Sequence, residues 1–284
     1  MVSNIKTYSS DDISRDILLI NHHKKAGFFS ICSKILIQII KYINTYNKTP
    51  DSIDTSQLFF LYKDNTTKNI DIFSYFFNID NDINLNTNNN INISSVNNEI
   101  QFTNYKLINF NQIKPVINKY FLPNREIKNR ITFLENKYNL NYNNLLTVYY
   151  RSTDKSIETN IPSIETIINK IKEVKIAYPD LNILYMTDDL QTIKNIYDNF
   201  TNVIIIEELL KHHNRGFEHA KWFLTSVIVM SKAHSIITTS SNVSNWILYY
   251  RNNSNNIYQY LSPKEYIYGV KNKFYEPTQT NFWL

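Results

Sequence analysis

The stretch from Leu145 to Glu158 reads LLTVYYRSTDKSIE, and the fold can be worked out from it. Its first part, through Tyr150, is apolar, β-branched and aromatic, which predicts a buried strand. Residues 151–158 are mostly polar, and an apolar helical pattern follows Pro162. A strand that runs into a polar loop and then a helix is the βα unit of an α/β sheet. In such sheets, ligands bind just beyond the carboxyl ends of the strands.

Arg151 lies at the carboxyl end of this predicted strand. A guanidinium group suits a phosphate there, because its planar fork donates two parallel charge-assisted hydrogen bonds. The alternative, from this stretch alone, is that Arg151 and Asp154 form a surface ion pair across the loop. Both interpretations place Arg151 at the edge of the sheet where ligands bind.

Composition limits the classes of protein to consider. The chain has 284 residues, 43% hydrophobic residues and a formal net charge of +5, which allow one large or two medium domains. Lysine and arginine form no long basic block, so nucleic-acid binding is not indicated, whereas small anionic ligands such as nucleotide phosphates fit the charge. Cys32 is the single cysteine, so no intramolecular disulfide is expected, and its apolar helical surroundings predict a buried thiol.

The amino-terminal residues suggest neither export nor membrane insertion. They are polar and include aspartates, unlike a signal peptide. The longest apolar segment, 26–43, contains Lys34 and Lys41 and is not expected to span a membrane. We therefore expect a cytoplasmic protein without a membrane span.

The first half of the chain opens with strand, loop and helix. Residues 16–21 predict a strand, and residues 28–46 predict a helix with one broad apolar face. Gly27 lies between them, and we expect it to allow either a tight turn or the close approach of a ligand, with the turn favoured. The remaining predictions for this half are a strand at 57–62, a short helix or substrate-facing segment at 70–77, an Asn-rich excursion at 78–98, and a helical region at 114–139 broken at Pro123.

The second half alternates strands and helices more regularly. Strands are predicted at 145–150, 181–186, 203–206 and 235–239, and helices at 163–178, 191–200, 217–233 and from 244 onward. This alternation predicts a parallel, doubly wound sheet. The whole chain is therefore expected to be an α/β protein with two Rossmann-like lobes of parallel sheet, at 1–140 and 141–284, and a cleft between them as the ligand site.

Polar loops follow three strands of the second half, at 151–155, 187–189 and 238–241. In a parallel sheet these loops share one edge, and that convergence predicts a single site. Ser240 and Ser241 would add hydroxyl and backbone N–H groups at a helix start, which favours an anion. Asp188 or Asp189 would orient Arg151 or bind sugar hydroxyls. The alternative for all four is helix capping.

Several of these segments resemble fucosyltransferase motifs. Val148–Lys155 (VYYRSTDK) resembles the VHVRRTDK motif of the α1,6-fucosyltransferases, and the α1,2- and protein O-fucosyltransferases carry a related HxRxxD core. Tyr185–Asp189 (YMTDD) resembles their YLATDD, and His213–Arg215 resembles an HNR element. Ser231–Ser241 (SKAHSIITTSS) is similar to SQADFLVCTFSS. The motifs keep the family's order within residues 145–246.

This resemblance implies a GT-B-like fold and an inverting, metal-independent glycosyl transfer. The donor would be a nucleotide sugar, GDP-fucose as the first candidate, used as a co-substrate without another cofactor. The acceptor would be a glycan or another compound with a hydroxyl group. The implied donor-binding residues are Gly27, Tyr149, Arg151, Lys155, Asp188, Asp189, Ser226, Ser240 and Ser241.

The resemblance also suggests the catalytic groups. A carboxylate must take the proton of the acceptor hydroxyl as the new bond forms. Glu158 is nearest to the family's proposed base, with Asp154 behind it, and Arg151 would hold the departing diphosphate. The alternative for Glu158 is a solvated loop charge.

Three departures from the family pattern leave alternatives open. Tyr149 replaces the motif's histidine, Ser152 replaces its second arginine, and Ser226 falls near the aspartate that reads guanine. A different nucleotide sugar, or a non-catalytic nucleotide- or glycan-binding module that retains the fold, would fit these changes. The histidine and aspartate spacings do not predict a metal site.

Overall fold

The structure is a computed structural model that describes residues 4–10, 13–20, 26–87, 89–92, 101–102, 104–153, 161–212, 216–261 and 283–284. Its strands are β1 (Asn4–Ser10), β2 (Ile13–Leu19), β3 (Ser52–Asp54), β4 (Phe77–Asn78), β5 (Leu122–Pro123), β6 (Leu145–Tyr150), β7 (Asn182–Thr187), β8 (Val203–Ile204), β9 (Ser235–Thr239) and β10 (Ile257–Tyr260). Its helices are α1 (Phe28–Tyr46), α2 (Phe110–Tyr120), α3 (Arg125–Lys137), α4 (Ile164–Ala177), α5 (Thr192–Asn199), α6 (Glu207–Lys211), α7 (Phe217–Ser231) and α8 (Asn242–Arg251).

The chain divides into two compact units. Unit 1 comprises Met1–Asn98, Ile108–Phe133 and Glu208–Val227, and unit 2 comprises Glu99–Leu107, Leu134–Glu207 and Ile228–Leu284. The sequence predicted one boundary, between residues 140 and 141. The observed division differs from it, because each half of the sequence also contributes a segment to the other unit. The long helices α3 and α7 each begin in unit 1 and end in unit 2.

Unit 2 contains the predicted parallel sheet. Its strand order is β10-β9-β6-β7-β8, and every neighbouring pair is parallel. The central strand, β6, is buried along all 6 of its residues. A strand covered on both faces needs apolar side chains throughout, which is why the sequence reads as an unbroken run and not as an alternation.

The helices of unit 2 begin and end close to the predicted residues. Ser163 is the N-cap of α4, and its hydroxyl accepts a hydrogen bond from the Thr166 N–H at 3.2 Å. The apolar face of α4 packs on the side chains of Leu146, Val148 and Tyr150, which point to one side of the sheet. The strand, cap and helix therefore hold the loop after β6 between two fixed ends.

Unit 1 has a smaller and mixed sheet, in the order β1-β2-β3. The β1–β2 pair is antiparallel, with Ser10 opposite Ile13, and the β2–β3 pair is parallel. A parallel sheet was expected for this lobe. The difference arises because β1 and β2 are nearly contiguous in sequence, and strands so connected can pair only as a hairpin, whereas parallel pairing needs a long crossover.

The core of unit 1 is rich in aromatic side chains around α1. Phe28 packs edge-on against Phe76, with ring centroids 4.9 Å apart, and against Tyr62 at 5.5 Å. Cys32 on α1 is buried as predicted, and burial raises the pKa of its thiol well above the ordinary value. This packing fixes the amino-terminal end of α1 by side-chain contacts.

The strand predicted at 57–62 is absent. Phe60–Tyr62 form a turn of 3-10 helix, and Phe59 before it has φ of 61°. Leu58, Phe59 and Tyr62 are buried while Phe60 is exposed, so the apolar residues do not alternate as in a strand. The segment 70–77 contains a short 3-10 helix at Phe73–Tyr75, as the helical alternative anticipated.

Two further predictions concern the Asn-rich stretch and the possibility of a membrane-spanning helix. Of the Asn-rich stretch, residues 79–87 and 89–92 form neither helix nor strand, and Ile91 is tied to Asn44 on α1 by hydrogen bonds of 2.8 and 2.9 Å. Within the described ranges, no helix has both the length and the apolar character needed to cross a bilayer.

Candidate functional site

The carboxyl ends of β6, β7 and β9 meet at one edge of the unit 2 sheet, which we call the carboxyl edge. Tyr150 at the end of β6 pairs with Thr187 at the end of β7, and Tyr149 pairs with Thr238 of β9. The polar residues that follow each strand, beginning at Arg151, Asp188 and Ser240, therefore start from neighbouring positions. The predicted convergence of these three loops is present.

Asp188 connects the first two loops. Its carboxylate accepts hydrogen bonds from the Ser152 N–H at 2.9 Å and from the Thr153 hydroxyl at 2.6 Å. Its Oδ2 atom also lies 3.8 Å from Nε of Arg151. At this distance the two atoms form an ion pair and not a hydrogen bond, so Asp188 attracts the guanidinium group electrostatically. The hydrogen bond from the Ser152 N–H also lets Asp188 fix the backbone of the loop after β6.

Asp189 has a partly structural role. Its Oδ2 accepts the Ser152 hydroxyl at 3.1 Å, and its Oδ1 accepts the N–H of Gln191 at 3.2 Å, just before α5. Its backbone carbonyl accepts the Thr192 hydroxyl at 2.6 Å. The capping alternative therefore applies to the contacts of Asp189 with Gln191 and Thr192. Its contact with the Ser152 hydroxyl instead holds the loop after β6.

Arg151 is anchored through its backbone and partly exposed through its side chain. Its N–H donates to Thr239 Oγ1 at 3.3 Å, which connects the end of β6 to the end of β9. The side chains of Arg151 and Asp188 are 26% and 27% exposed. A partly exposed guanidinium group whose backbone is fixed in this way is suited to an anionic ligand.

Ser240 and Ser241 are buried, and both hydroxyls already have partners. Ser240 Oγ donates to the Tyr260 carbonyl at 3.2 Å. Ser241 is the N-cap of α8, and its hydroxyl accepts the Ser244 N–H at 3.1 Å. The capping alternative thus describes Ser241, and a ligand at this position would meet the amino-terminal end of α8 instead of two available hydroxyl groups.

Tyr105 belongs to this edge, and sequence reasoning missed it. Its hydroxyl oxygen accepts the Ser241 N–H at 3.1 Å across a separation of 136 residues, and burial raises its pKa. Its backbone N–H donates to the side chain of Gln259 on β10 at 2.9 Å. No local pattern marks such a contact, because Tyr105 follows the Asn-rich stretch and lies far from its partners in sequence.

Two residues named from the family resemblance lie in the protein interior. Tyr149 is 4% exposed, and Ser226 is 0% exposed. The Ser226 hydroxyl donates to the Trp222 carbonyl of its own helix at 2.8 Å. The bond uses the hydroxyl proton and leaves the oxygen as an acceptor, but the burial of Ser226 gives a donor base no access to it in this structure.

The backbone conformation at Gly27 does not need a glycine. Its φ of −64° is available to every residue type, so a tight turn does not require glycine here. Nothing lies within 4 Å of the position that a Cβ atom would occupy, and Gly27 is exposed. The open space beside the start of α1 agrees with the alternative that a ligand approaches the backbone.

The remaining predicted residues are not all described. Asp154, Lys155 and Glu158 lie outside the described residues, as does the segment 213–215. Across the described part of the chain, no group of at least three histidine, cysteine, aspartate or glutamate side chains is arranged to hold a metal ion.

Comparison with known proteins places the fold. No protein-family model matches the chain, and no curated protein matches it by sequence. The solved structure of fucosyltransferase NodZ from Bradyrhizobium aligns with 87% of this chain and 95% of that chain, with a TM-score of 0.58 and 13% identity. The two proteins therefore share a fold, and the predicted fucosyltransferase-like, GT-B-like architecture is confirmed.

Other solved structures align over shorter lengths. NodZ α1,6-fucosyltransferase soaked with GDP-fucose aligns with 53% of this chain and 49% of that chain, at 14% identity and a TM-score of 0.42. POFUT1 in complex with GDP-fucose aligns with 52% of this chain and 47% of that chain, at 12% identity and a TM-score of 0.36. In these alignments the matched region spans about half the length of each solved chain.

Proposed function

We propose that this protein is a glycosyltransferase that binds the diphosphate of a nucleotide sugar at the carboxyl edge. It transfers the sugar to a hydroxyl group of a glycan or another acceptor, with inversion and without a metal ion. GDP-fucose is the first donor to test. The observation that carries the proposal is the position of Arg151, at the end of the central parallel strand and beside Asp188 at 3.8 Å.

The chemistry of the carboxyl edge supports a diphosphate ligand. Arg151 supplies a fixed positive charge, and the amino-terminal end of α8 supplies the positive end of a helix dipole at the same edge. Asp188 keeps the loop after β6 in place through the Ser152 N–H and the Thr153 hydroxyl. In metal-independent transfer, such positive groups stabilise the negative charge that develops on the leaving diphosphate.

The shared fold and the motif order support the sugar-transfer part of the proposal. The fold is that of a fucosyltransferase along most of both chains. Glu158 follows the VYYRSTDK segment in the sequence and is the proposed carboxylate that takes the acceptor proton, with Asp154 as the second candidate. The donor supplies the reacting carbon, and no further cofactor enters the proposal.

The binding role of Arg151 is tested by calorimetry with GDP and GDP-fucose. We expect Arg151→Ala to weaken binding by about tenfold to a hundredfold, because one charge-assisted bidentate contact is lost. Arg151→Lys should recover part of the affinity, because it keeps the charge and loses the fork. Arg125→Ala, which removes an exposed arginine in unit 1, is the matched control. Equal affinity of Arg151→Ala and wild type would overturn the proposal.

A second candidate function is a nucleotide- or glycan-binding module without catalysis. The interior positions of Tyr149 and Ser226 favour it, because these residues do not present to a ligand the groups that the family uses. Glu158→Gln separates the two functions. An enzyme loses transfer and keeps GDP affinity, whereas a binding module shows no transfer in the wild type with GDP-, UDP- or CDP-sugars.

A further inference from the structure

The loop from Thr55 to Asp71 in unit 1, which we call the Phe60 loop, lines a cavity of about 540 Å³ that is open to solvent. This volume is within the ~300–1,000 Å³ range of small-molecule sites. The lining combines one aromatic ring with amides, amines, a hydroxyl and a carboxylate, and it consists of Ser56, Gln57, Phe60, Lys63, Asp64, Asn65, Lys68 and Asn69. The function proposed for the carboxyl edge uses none of them.

Hydrogen bonds to two carboxylates hold the Phe60 loop in shape. Its ends are joined by Asp71, whose carboxylate accepts the Thr55 N–H at 2.7 Å and the Thr55 hydroxyl at 2.6 Å. Inside the loop, Asp64 accepts both the N–H and the hydroxyl of Thr66 and of Thr67, at 2.6 to 3.0 Å. A loop held in this way is preorganised, so a ligand does not have to order it on binding.

The backbone is strained where it turns Phe60 outward. Phe59 has φ of 61°, an unfavourable conformation for a bulky residue, and its ring is buried against Phe28 at 5.4 Å and Phe76 at 5.9 Å. The next side chain, Phe60, is 48% exposed at the cavity. Strain of this kind persists when surrounding packing enforces it, and it concentrates at ligand sites.

The polar groups of the cavity match the hydroxyl groups of a sugar. Gln57, Asn65 and Asn69 are exposed, and among the described residues their carboxamides make no hydrogen bond. Each carboxamide offers donors and an acceptor, as neighbouring sugar hydroxyls require. Lys63 is less suited to a phosphate, because its amine donates to the Ser56 carbonyl at 2.6 Å and burial lowers its pKa.

We propose that the cavity of the Phe60 loop binds one sugar residue of an oligosaccharide, with the face of the sugar ring on Phe60 and its hydroxyls on the three carboxamides. Under the function proposed above, this oligosaccharide is the acceptor, and that identification rests on the proposed function. The binding site itself rests on the cavity, the hydrogen-bonded loop and the exposed ring.

Binding of the full chain to a printed array of neutral and acidic glycans, followed by calorimetry with the strongest free glycan, tests the proposal. We expect Phe60→Leu to weaken glycan binding at least tenfold and Phe60→Trp to keep it, because tryptophan retains a flat aromatic face. Phe133→Leu is the matched control, because Phe133 also lies in unit 1 and is 47% exposed against 48% for Phe60. Equal loss in Phe60→Leu and Phe133→Leu, or no glycan bound by the wild type, would overturn it.

The same proteins separate this inference from the proposed function. Phe60-dependent glycan binding without GDP binding would retain the sugar site and refute the transferase. GDP binding that depends on Arg151, without Phe60-dependent glycan binding, would do the reverse. Competition between GDP and the glycan that disappears in Phe60→Leu would overturn the sugar assignment, because it would place the nucleotide in the cavity.

Discussion

At the residue scale, the carboxyl edge is organised by Asp188 as much as by Arg151. The aspartate contacts the arginine at 3.8 Å and accepts two shorter hydrogen bonds from Ser152 and Thr153. Removing the carboxylate leaves the Ser152 N–H without its acceptor and loosens the loop that carries Arg151. Asp188 is therefore a positioning residue for the arginine.

We expect Asp188→Ala to lower the free energy of unfolding by about 1.5–3 kcal/mol, the range for hydrogen bonds to a charged group, and also to weaken GDP binding. Urea denaturation and calorimetry measure the two effects. Asp198→Ala is the control, because that aspartate forms an exposed pair with Lys194 on α5 and should change stability by less than about 1 kcal/mol. Unchanged GDP affinity in Asp188→Ala would contradict the positioning role.

A second residue-scale prediction concerns acid. Hydrogen bonds from Thr66 and Thr67 lower the pKa of Asp64 to about 2. An unfolded aspartate has a pKa of about 3.9, so the folded state favours the carboxylate and gains stability from it above that pH. This gain is lost as the pH falls from about 4 towards 2.

The difference in melting temperature between wild type and Asp64→Asn should therefore be constant from pH 7 down to about 4 and become smaller below that. Circular dichroism at a series of pH values measures it, and Thr66→Ala should show a smaller difference with the same pH dependence. A difference that grows as the pH falls below 4 would mean that Asp64 is not stabilised as a carboxylate.

At the element scale, the N-caps of two helices in unit 2 differ in burial and in their distance from the candidate site along the fold. Ser163 caps α4 at an exposed position, whereas Ser241 caps α8 in the buried network with Tyr105 and Ser244. Both caps satisfy an N–H group that the helix itself leaves unpaired. They differ in that the α8 start lies at the carboxyl edge.

We expect Ser163→Ala to lower the free energy of unfolding by about 1 kcal/mol and to leave GDP binding unchanged. Ser241→Ala should lower it by about 1–2 kcal/mol and weaken GDP binding as well, because the first turn of α8 loses its fixed position. Chemical denaturation and calorimetry on both variants test this. Loss of GDP affinity in Ser163→Ala alone would place the nucleotide away from α8.

The elements also show how far the sequence could predict the structure. The strands and helices of unit 2 were predicted because a central parallel strand such as β6 is a continuous apolar run, and because Ser163 and Pro179 bound α4. The prediction of a strand at 57–62 was wrong. The apolar residues of this segment resemble those of a strand, but Phe59 adopts a left-handed conformation that no sequence pattern reveals.

Sequence patterns also located some site residues and missed others, because local patterns do not reveal tertiary contacts. Arg151, Asp188 and Ser241 directly follow strands, so the rule that ligands bind at the carboxyl ends located them. Tyr105 joins the site through contacts across 136 residues, and Ser226 faces inward on a helix whose apolar residues surround it. Tertiary packing determines the positions of both residues, and local patterns in a single sequence do not predict such packing.

At the scale of the whole molecule, the proposed ligands belong to different units. The carboxyl edge lies in unit 2, and the cavity of the Phe60 loop lies in unit 1. Hydrogen exchange with saturating GDP should therefore slow amide exchange in 145–153, 182–189 and 235–245, because bound ligand suppresses local opening there. Peptides from 56–69 should exchange as they do without GDP.

Mass spectrometry of peptides measures this exchange, and Arg151→Ala is the control in which GDP should have little effect. Slower exchange in 56–69 and none at the carboxyl edge would place the nucleotide in unit 1. Such a result would contradict both the proposed function and the sugar assignment of the Phe60 loop.

The interleaving of the two units has a consequence for biosynthesis. Unit 1 includes Glu208–Val227, which leaves the ribosome only after nearly all of 134–207 has been made. Neither unit can be completed before the other has largely emerged, so the nascent chain cannot finish one globule and then begin the next, as proteins with successive domains do. The core of unit 2 should therefore consolidate only after the last segment of unit 1, Glu208–Val227, has been synthesised, because unit 2 also needs Ile228–Leu284.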